Sequence, residues 1–336
     1  MSAPVLPVAL VGPGWSGRRL LRALTRLPGY RVEAVVGRGP GELSLSGCTY
    51  EVLARDAYPE VLARPGLSAV LICTPPAAQV ALAEAALLAG HHVLVEKPVG
   101  LDPAGAAALV KAARDRGLVL AVPYHWLYNP LIERAAEAIA GGAIGRPVHA
   151  TFRMFVPRTR PAPAWLRSPE TSGGPFVETL VHGFHLMETL LGPAETVLSA
   201  AEYRDGEAVV GGTATLRHTG GCVTVLETTW LGTNAMRSGF FDVAGTEGSV
   251  SFDRGLDDRR RHTLRVQSSA GNTVHRGDDD DAGFAGLLTR FRDACLAGEA
   301  ATLPGDHGSV VRALTFALAA RRLAGSADPE GEEALR

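Results

Sequence analysis

Lysine is almost missing from this chain. Of 33 basic side chains, only Lys97 and Lys111 are lysine and the other 31 are arginine. The plain reading is a coding bias toward arginine, which makes each surviving lysine worth inspecting. Set against 35 acidic groups, the basic ones leave a net charge of −2. That excludes the strongly basic balance of a nucleic-acid-binding domain. Long apolar runs are also lacking. Leu82–Val95 comes nearest to the ~18 residues a membrane helix needs, yet it contains Glu84, Gly90, His91 and His92. Residues 1–14 have no basic start, apolar core and small-residue cleavage site, so no secretory leader is expected there. Cysteine is sparse. Cys48, Cys73, Cys222 and Cys295 show neither metal nor disulfide spacing, which points to free thiols in a cytoplasmic protein with no membrane partner and no bound metal.

What is present is a chain of 336 residues, 46% hydrophobic, long enough for two domains and too apolar to be disordered. Its first part alternates strand and helix signals. The apolar run at Pro7–Gly12 reads as a buried parallel strand. Leu20, Leu21, Leu24 and Leu27 then recur at helical spacing over 15–27, with arginines between them and Pro28-Gly29 as the stop. Further strands are predicted at Arg31–Val36, Ala69–Cys73, His92–Val95 and Leu118–Val122, with helices over 77–89 and 103–116. Strands alternating with helices imply a doubly wound parallel sheet.

Near residue 123 the pattern changes. A helix is predicted at 130–140, a strand at Pro147–Val156, a Pro/Arg-rich loop at Pro157–Gly174 and a helix at 176–190. Strands at 195–204, 207–217, 221–230, 239–245 and 248–252 suggest an open, mostly antiparallel sheet, closed by helices at 283–297 and 307–323. The expected division is therefore 1–123, a Rossmann-type doubly wound domain, and 124–336, a second α/β domain. The Asp278–Asp281 run reads as a solvated loop.

Gly12-Pro13-Gly14-Trp15-Ser16-Gly17 follows the first strand and opens the first helix. There Gly12 serves a tight turn, Gly14 lets the backbone approach a pyrophosphate, and Gly17 permits close helix–strand packing. The helix N-terminus adds free N–H groups and partial positive charge. The second strand ends in Gly37-Arg38 where a ribose-binding carboxylate would mark NAD. Arg38 offers a charged, planar donor to a 2′-phosphate, which favours NADP(H) over NAD(H). The plainer alternative is that Arg38 stacks on adenine or faces solvent.

Lys97 follows the fourth strand in Glu96-Lys97-Pro98, at the strand mouth where open α/β sheets bind ligands. An ammonium there can stabilise developing oxyanion charge. In the second domain, Glu178, His182 and His185 are spaced four and three apart and would share one helix face. A carboxylate beside an imidazole suits general acid/base work. A metal site and a structural histidine face are the competing readings.

These segments together resemble the glucose–fructose oxidoreductase / inositol dehydrogenase / rhizopine catabolism (Gfo/Idh/MocA) family. The likeness is carried by the glycine turn, Thr74-Pro75, residues 89–98, Tyr128-Asn129-Pro130, Trp165, Arg167 and Gly173–His182, and spans nearly the whole chain. It implies pyridine-nucleotide oxidoreduction at a hydroxyl- or carbonyl-bearing carbon of a sugar or cyclitol. It makes Lys97, His182 and Glu178 the catalytic group. It places cofactor contacts at Gly12, Gly14, Trp15, Ser16, Gly17, Arg38, Thr74, Pro75, Glu96 and Lys97. Substrate contacts would fall on Lys97, His125, Trp126, Trp165, Arg167, His182 and His185. A homodimer or homotetramer through the C-terminal sheet is also implied. The chain departs from the family pattern at four places. Glu178 and His185 stand where aspartates are usual, Gln79 replaces a frequent histidine, and His125-Trp126-Leu127 fills a stretch that often holds an arginine. The expected activity is an NADP(H)-dependent reductase of a small metabolite. A cyclic imine reductase and a non-catalytic dinucleotide-sensing regulator are the alternatives.

Overall fold

Two β-sheets carry the chain. The computed structural model describes residues 4–158, 163–232, 238–254, 262–277, 282–298 and 307–326. It divides into two units, one of residues 1–130 with 280–311 and one of residues 131–279 with 312–336. The Asp278–Asp281 run lies outside the described residues.

The first unit runs β1 (Leu6–Val11), α1 (Trp15–Arg26), β2 (Tyr30–Val36), β3 (Gly41–Leu45), β4 (Cys48–Leu53), α2 (Tyr58–Leu62), β5 (Ala69–Ile72), α3 (Pro76–Leu88), β6 (His92–Val95), α4 (Pro103–Asp115) and β7 (Leu120–Ala121). The sheet order is β3-β4-β2-β1-β5-β6-β7. All neighbours are parallel except the β3–β4 pair. This is the doubly wound Rossmann order, which reverses direction between β1 and β5. Its logic follows from the side chains. β5 is apolar and buried throughout, and so are β1 and β6 apart from the half-buried Pro7 and His92, as a central parallel sheet requires. In α1, Leu20, Leu21 and Leu24 turn inward. α4 starts where Asp102 accepts the N–H groups of Ala104 and Gly105 at 3.0 and 3.1 Å, with Pro103 at the first helical position.

The second unit continues with α5 (Pro130–Ala140), β8 (Pro147–Phe155), α6 (Ala164–Arg167), α7 (Pro169–Ser172), α8 (Gly174–Glu178), α9 (Val181–Leu191), β9 (Ala194–Asp205), β10 (Ala208–His218), β11 (Val223–Thr229), β12 (Ser238–Gly245), β13 (Gly248–Arg254), β14 (His262–Ser268) and β15 (Gly271–Gly277). Two helices follow, α10 (Ala282–Ala297) and α11 (His307–Gly325). The sheet order is β15-β14-β13-β12-β8-β11-β10-β9. Every pair is antiparallel except β8–β11. Helices α8 and α9 lie on the face that presents Phe152 and Leu226. A Cβ on Gly183 of α9 would stand 2.4 Å from the Phe152 ring, and one on Gly212 of β10 would stand 2.4 Å from Phe176. Small residues at these two points let the helices sit close. Each fully buried phenylalanine there contributes about 1.5–3 kcal/mol.

The structure corrects the sequence reading in several places. The hairpin β3–β4 and the pair β14–β15 were not expected. Ser46 and Gly47 both have positive φ, 52° and 79°, the mark of a tight hairpin turn that Ser-Gly between alternating strands can supply. The predicted strand over 118–122 contracts to Leu120–Ala121, and the predicted loop over 157–174 holds the short helices α6 and α7. Helix α10 groups with the first unit, burying Phe284, Leu287, Leu288 and Phe291. Tyr30 donates to the Leu288 carbonyl at 2.5 Å, and Gly283 approaches the His125 carbonyl so closely that a Cβ would stand 2.3 Å away. An amphipathic pattern announces a buried face without naming its partner.

Candidate active site

The glycine turn sits where the first sheet's strand order reverses. Gly12 has φ of +92°, and a Cβ on it would lie 2.7 Å from the Cys73 carbonyl oxygen. A Cβ on Gly17 would lie 2.2 Å from the Gly12 carbonyl oxygen. These two glycines serve the fold. Gly14 differs, since nothing stands within 4 Å of where its Cβ would be. It precedes α1 with no side-chain cap, so the helix N–H groups are available to an anion. Next to Gly12, Thr74 has a buried hydroxyl with no hydrogen-bond partner among the described residues. Open space at Gly14, uncapped donors and an orphaned hydroxyl fit the phosphates of a dinucleotide. Trp15 begins the helix and is 76% exposed.

Glu96 ties this turn to the end of β6. Its carboxylate takes the Ser16 hydroxyl on one oxygen and the Lys97 N–H, at 3.1 Å, on the other. Burial pushes the Glu96 carboxyl above its ordinary value, opposed by Lys97, the Ser16 bond and Arg19. Burial, with Glu96 nearby, pushes the Cys73 thiol well up, so this cysteine stays protonated. Lys97 follows β6 at the carboxyl edge and is part-buried, and the Lys97–Pro98 bond is cis. Gln79, singled out as a departure from the family pattern, has a definite task here. Its amide donates to the Thr74 carbonyl and accepts from the Gly100 N–H, both at 3.0 Å. It thereby pins the segments after β5 and β6 together. Arg38 is exposed two residues past β2.

In the second unit, Glu178, His182 and His185 do not share one helix. α8 ends at Glu178 and α9 begins at Val181. Thr179 carries the break at φ −108°, ψ −53°. The Thr179 hydroxyl donates to Glu178 Oε2 at 2.6 Å and accepts the Trp230 indole N–H at 2.8 Å. Side-chain bonds of this kind compete with a continuous helical ladder. The same Glu178 oxygen accepts from Arg158 Nη2 at 2.8 Å, and the Arg158 guanidinium lies 5.2 Å from the Trp230 ring centroid. Arg158, Thr179 and Trp230 were missed from the sequence, because the network joins the segments just past β8 and β11 to the α8–α9 junction across long separations. His182 and His185 both lie on α9 and are buried, at 6% and 2% exposure.

The residues expected at the substrate divide as follows. Trp126 is buried. His125 stacks on Phe284 with centroids 4.2 Å apart, and Arg19 lies 4.0 Å from the same ring. Trp165 is part-buried on α6 and Arg167 is exposed at its end. Among the described residues no cluster of His, Cys, Asp and Glu could hold a metal ion, and no helix is long and apolar enough to cross a membrane.

A parallel sheet with a glycine turn at its point of reversal, and a lysine at the neighbouring strand mouth, defines a dinucleotide-dependent oxidoreductase. The chain matches the "Oxidoreductase family, NAD-binding Rossmann fold" over residues 6–124 and the "GFO/IDH/MocA C-terminal domain" over residues 132–251. It belongs to the Gfo/Idh/MocA family of oxidoreductases. It is 29% identical over 316 residues to dTDP-3,4-didehydro-2,6-dideoxy-alpha-D-glucose 3-reductase of Streptomyces violaceoruber, covering 91% of this chain and 92% of that one. Two solved structures share the fold. A 3-ketoreductase from Actinomadura kijaniata, in complex with NADP and TDP-benzene, superposes with a TM-score of 0.79 at 23% identity, covering 96% of this chain and 98% of that one. Levoglucosan dehydrogenase in complex with NADH and L-sorbose superposes with a TM-score of 0.81 at 18% identity, covering 96% and 97%.

Proposed function

We propose that this enzyme uses NADP(H) to interconvert a carbonyl and a carbinol carbon on a sugar or sugar-like small molecule, working chiefly as a ketoreductase. The observation that carries the reading is the placement of Lys97 at the mouth of β6, joined through Glu96 and Ser16 to the glycine turn. Gly14, Trp15, Ser16, Thr74 and Pro75 would hold the dinucleotide on the turn that Gly12 and Gly17 shape, and Arg38 would hold its 2′-phosphate. A bound nicotinamide supplies or takes up the hydride. The Lys97 ammonium donates a hydrogen bond to the substrate oxygen and stabilises charge developing on it. His182 delivers a proton to that oxygen on reduction and removes it on oxidation. Glu178, through its bonds to Arg158 and Thr179, holds the junction from which α9 starts. His125, Trp126, Trp165, Arg167 and His185 complete the substrate contacts in this reading.

The Streptomyces violaceoruber relative, named for reduction of a nucleotide-linked ketosugar, supports a sugar carbonyl as the target. All four cysteines are free, which supports a cytoplasmic setting. The eight-stranded sheet is the face proposed for a homodimer or homotetramer. The test is a panel of free ketosugars, nucleotide-linked ketosugars, oxidised cyclitols and cyclic imines, each offered with NADPH or NADH while the reduced-nicotinamide absorbance is followed. Consumption of NADPH with a ketosugar is expected. Turnover of imines alone, or equal use of NADH, would overturn the corresponding part of the proposal.

A further inference from the structure

The first unit has a second feature that points at its cofactor. Parallel neighbours in a sheet are ordinarily joined by a helix, but β2 and its parallel neighbour β4 are joined by a strand, β3. β4 therefore ends level with β2. Val35 pairs with Val52 and Val36 with Leu53, and the Gly37 N–H donates to the Leu53 carbonyl at 2.8 Å. Packing is tight here, since a Cβ on Gly37 would stand 2.7 Å from the Val52 side chain. Arg38 lies two residues beyond Val36, and Arg55 lies two residues beyond Leu53. Register alone brings two arginines to the same edge of the sheet.

Both line one open hollow of about 660 Å³, together with Asp56, Tyr58 and Leu82. Its floor is apolar and fixed, since Tyr58 is buried and its hydroxyl donates to the Leu82 carbonyl at 2.8 Å. Its rim carries two guanidinium groups against the single carboxylate of Asp56. Neither Arg38 nor Arg55 has an ion pair among the described residues. A guanidinium presents a rigid fork of donors matched to a phosphate, and two of them suit a dianion better than one.

We propose that Arg55 is a second reader of the dinucleotide's 2′-phosphate, acting beside Arg38 from the end of the neighbouring strand. The inference rests on the NADP(H) reading and deepens it. Selectivity is then divided between two strand ends, and the β3–β4 hairpin is the device that brings the second arginine into place.

The test is calorimetric binding of 2′,5′-ADP and 5′-AMP to the wild type and to R38A, R55A and R55K, with a melting curve for each to show that the fold persists. The wild type should bind 2′,5′-ADP the more tightly. R55A should weaken 2′,5′-ADP by roughly tenfold, the loss of one charge-assisted hydrogen bond, and leave 5′-AMP nearly unchanged. R55K should recover part of the loss, because it keeps the charge without the fork. The salt dependence of 2′,5′-ADP binding should be shallower in R55A. A wild type that binds both ligands alike would overturn the NADP(H) reading and this inference with it. A wild type that prefers 2′,5′-ADP, with R55A matching it or weakening both ligands equally, would overturn the role of Arg55 alone.

Discussion

The two units prepare their candidate residues by different means. In the first, backbone does most of the positioning. Gly12 and Gly17 admit contacts that no side chain could, the helix N-terminus supplies donors, and Lys97 is placed by a strand end. In the second, side chains do it. His182 lies just past a helix break held by Thr179, Glu178, Arg158 and Trp230, which meet from separate parts of the chain. Backbone positioning is local in sequence and leaves a motif. Side-chain positioning is distant in sequence and leaves none. The difference also implies that substitutions in the first unit separate cleanly into fold and ligand effects, whereas those in the second mix the two.

The largest expected effect would break that comparison if it failed. His182→Ala should slow turnover by a factor of roughly 10² to 10⁴, the ordinary contribution of a general acid. Dinucleotide binding should survive, because the glycine turn belongs to the other unit. Steady-state kinetics and calorimetric titration with NADPH would check both halves. Full activity in the variant would remove His182 from the reaction.

Next in size is a contrast within the first unit. Gly17→Ala places a Cβ 2.2 Å from the Gly12 carbonyl, so backbone must shift. A stability loss of about 1–3 kcal/mol is expected in denaturant unfolding. Gly14→Ala meets nothing. It should change stability by less than about 0.5 kcal/mol, yet weaken dinucleotide binding by roughly tenfold through the lost approach of one donor. Equal effects from the two alanines would end the distinction between fold glycines and ligand glycines.

The legibility of the sequence follows the same division. The Rossmann order, the glycine turn and the Lys97 strand mouth were all readable, because each is specified within a few neighbouring residues. The larger sheet was readable in part, since β9 to β13 alternate and are separated by turn residues. The hairpin β3–β4 was hidden because Gly41–Leu45 is short and only Leu43 and Leu45 are buried in it. The spacing of Glu178, His182 and His185 suggested one face of one helix. Spacing reports geometry only where the helix is continuous, and the Thr179 hydroxyl interrupts this one. Arg158 gave no signal because its partners lie 20 and more residues away.

A middle-sized effect tests the side-chain network directly. Arg158 and Glu178 are mostly buried, with side-chain exposures of 30% and 16%. Arg158→Ala leaves the carboxylate without its guanidinium and should cost about 1–3 kcal/mol, read as a lower denaturant midpoint. Glu178→Gln keeps an acceptor for both Arg158 and Thr179, so it should cost less. The pH profile of kcat in E178Q then decides its chemical role. A profile like the wild type's would confine Glu178 to holding the α8–α9 junction. A displaced profile would mean that its charge reaches His182.

The smallest effect concerns two histidines, one in each unit, that are both held neutral. His92 accepts the Val119 N–H on Nδ1 at 2.9 Å. His218 places Nδ1 2.8 Å from the Gly192 carbonyl and Nε2 2.9 Å from the Thr224 hydroxyl. Burial lowers both from the ordinary 6.5, with His91 adding to the effect at His92 and the Gly192 bond opposing it at His218. As pH falls through 6.5, the unfolded chain takes up these protons while the folded chain does not. The unfolded state then binds more protons, so stability falls with pH and levels only below the folded values. Glu96 and Asp242 carry the opposite sign, since desolvation raises both carboxyls, with Asp253 adding to the effect at Asp242, and their protonated forms suit the fold. The histidine contribution must therefore be isolated by difference. Melting temperatures followed from about pH 7 to about pH 5 should drop less in the H92Q/H218Q double variant than in the wild type. Each single variant should remove part of the slope. An undiminished slope in the double variant would place the acid sensitivity on other groups, and a slope removed entirely by one substitution would show that a single unit limits the stability of the whole chain.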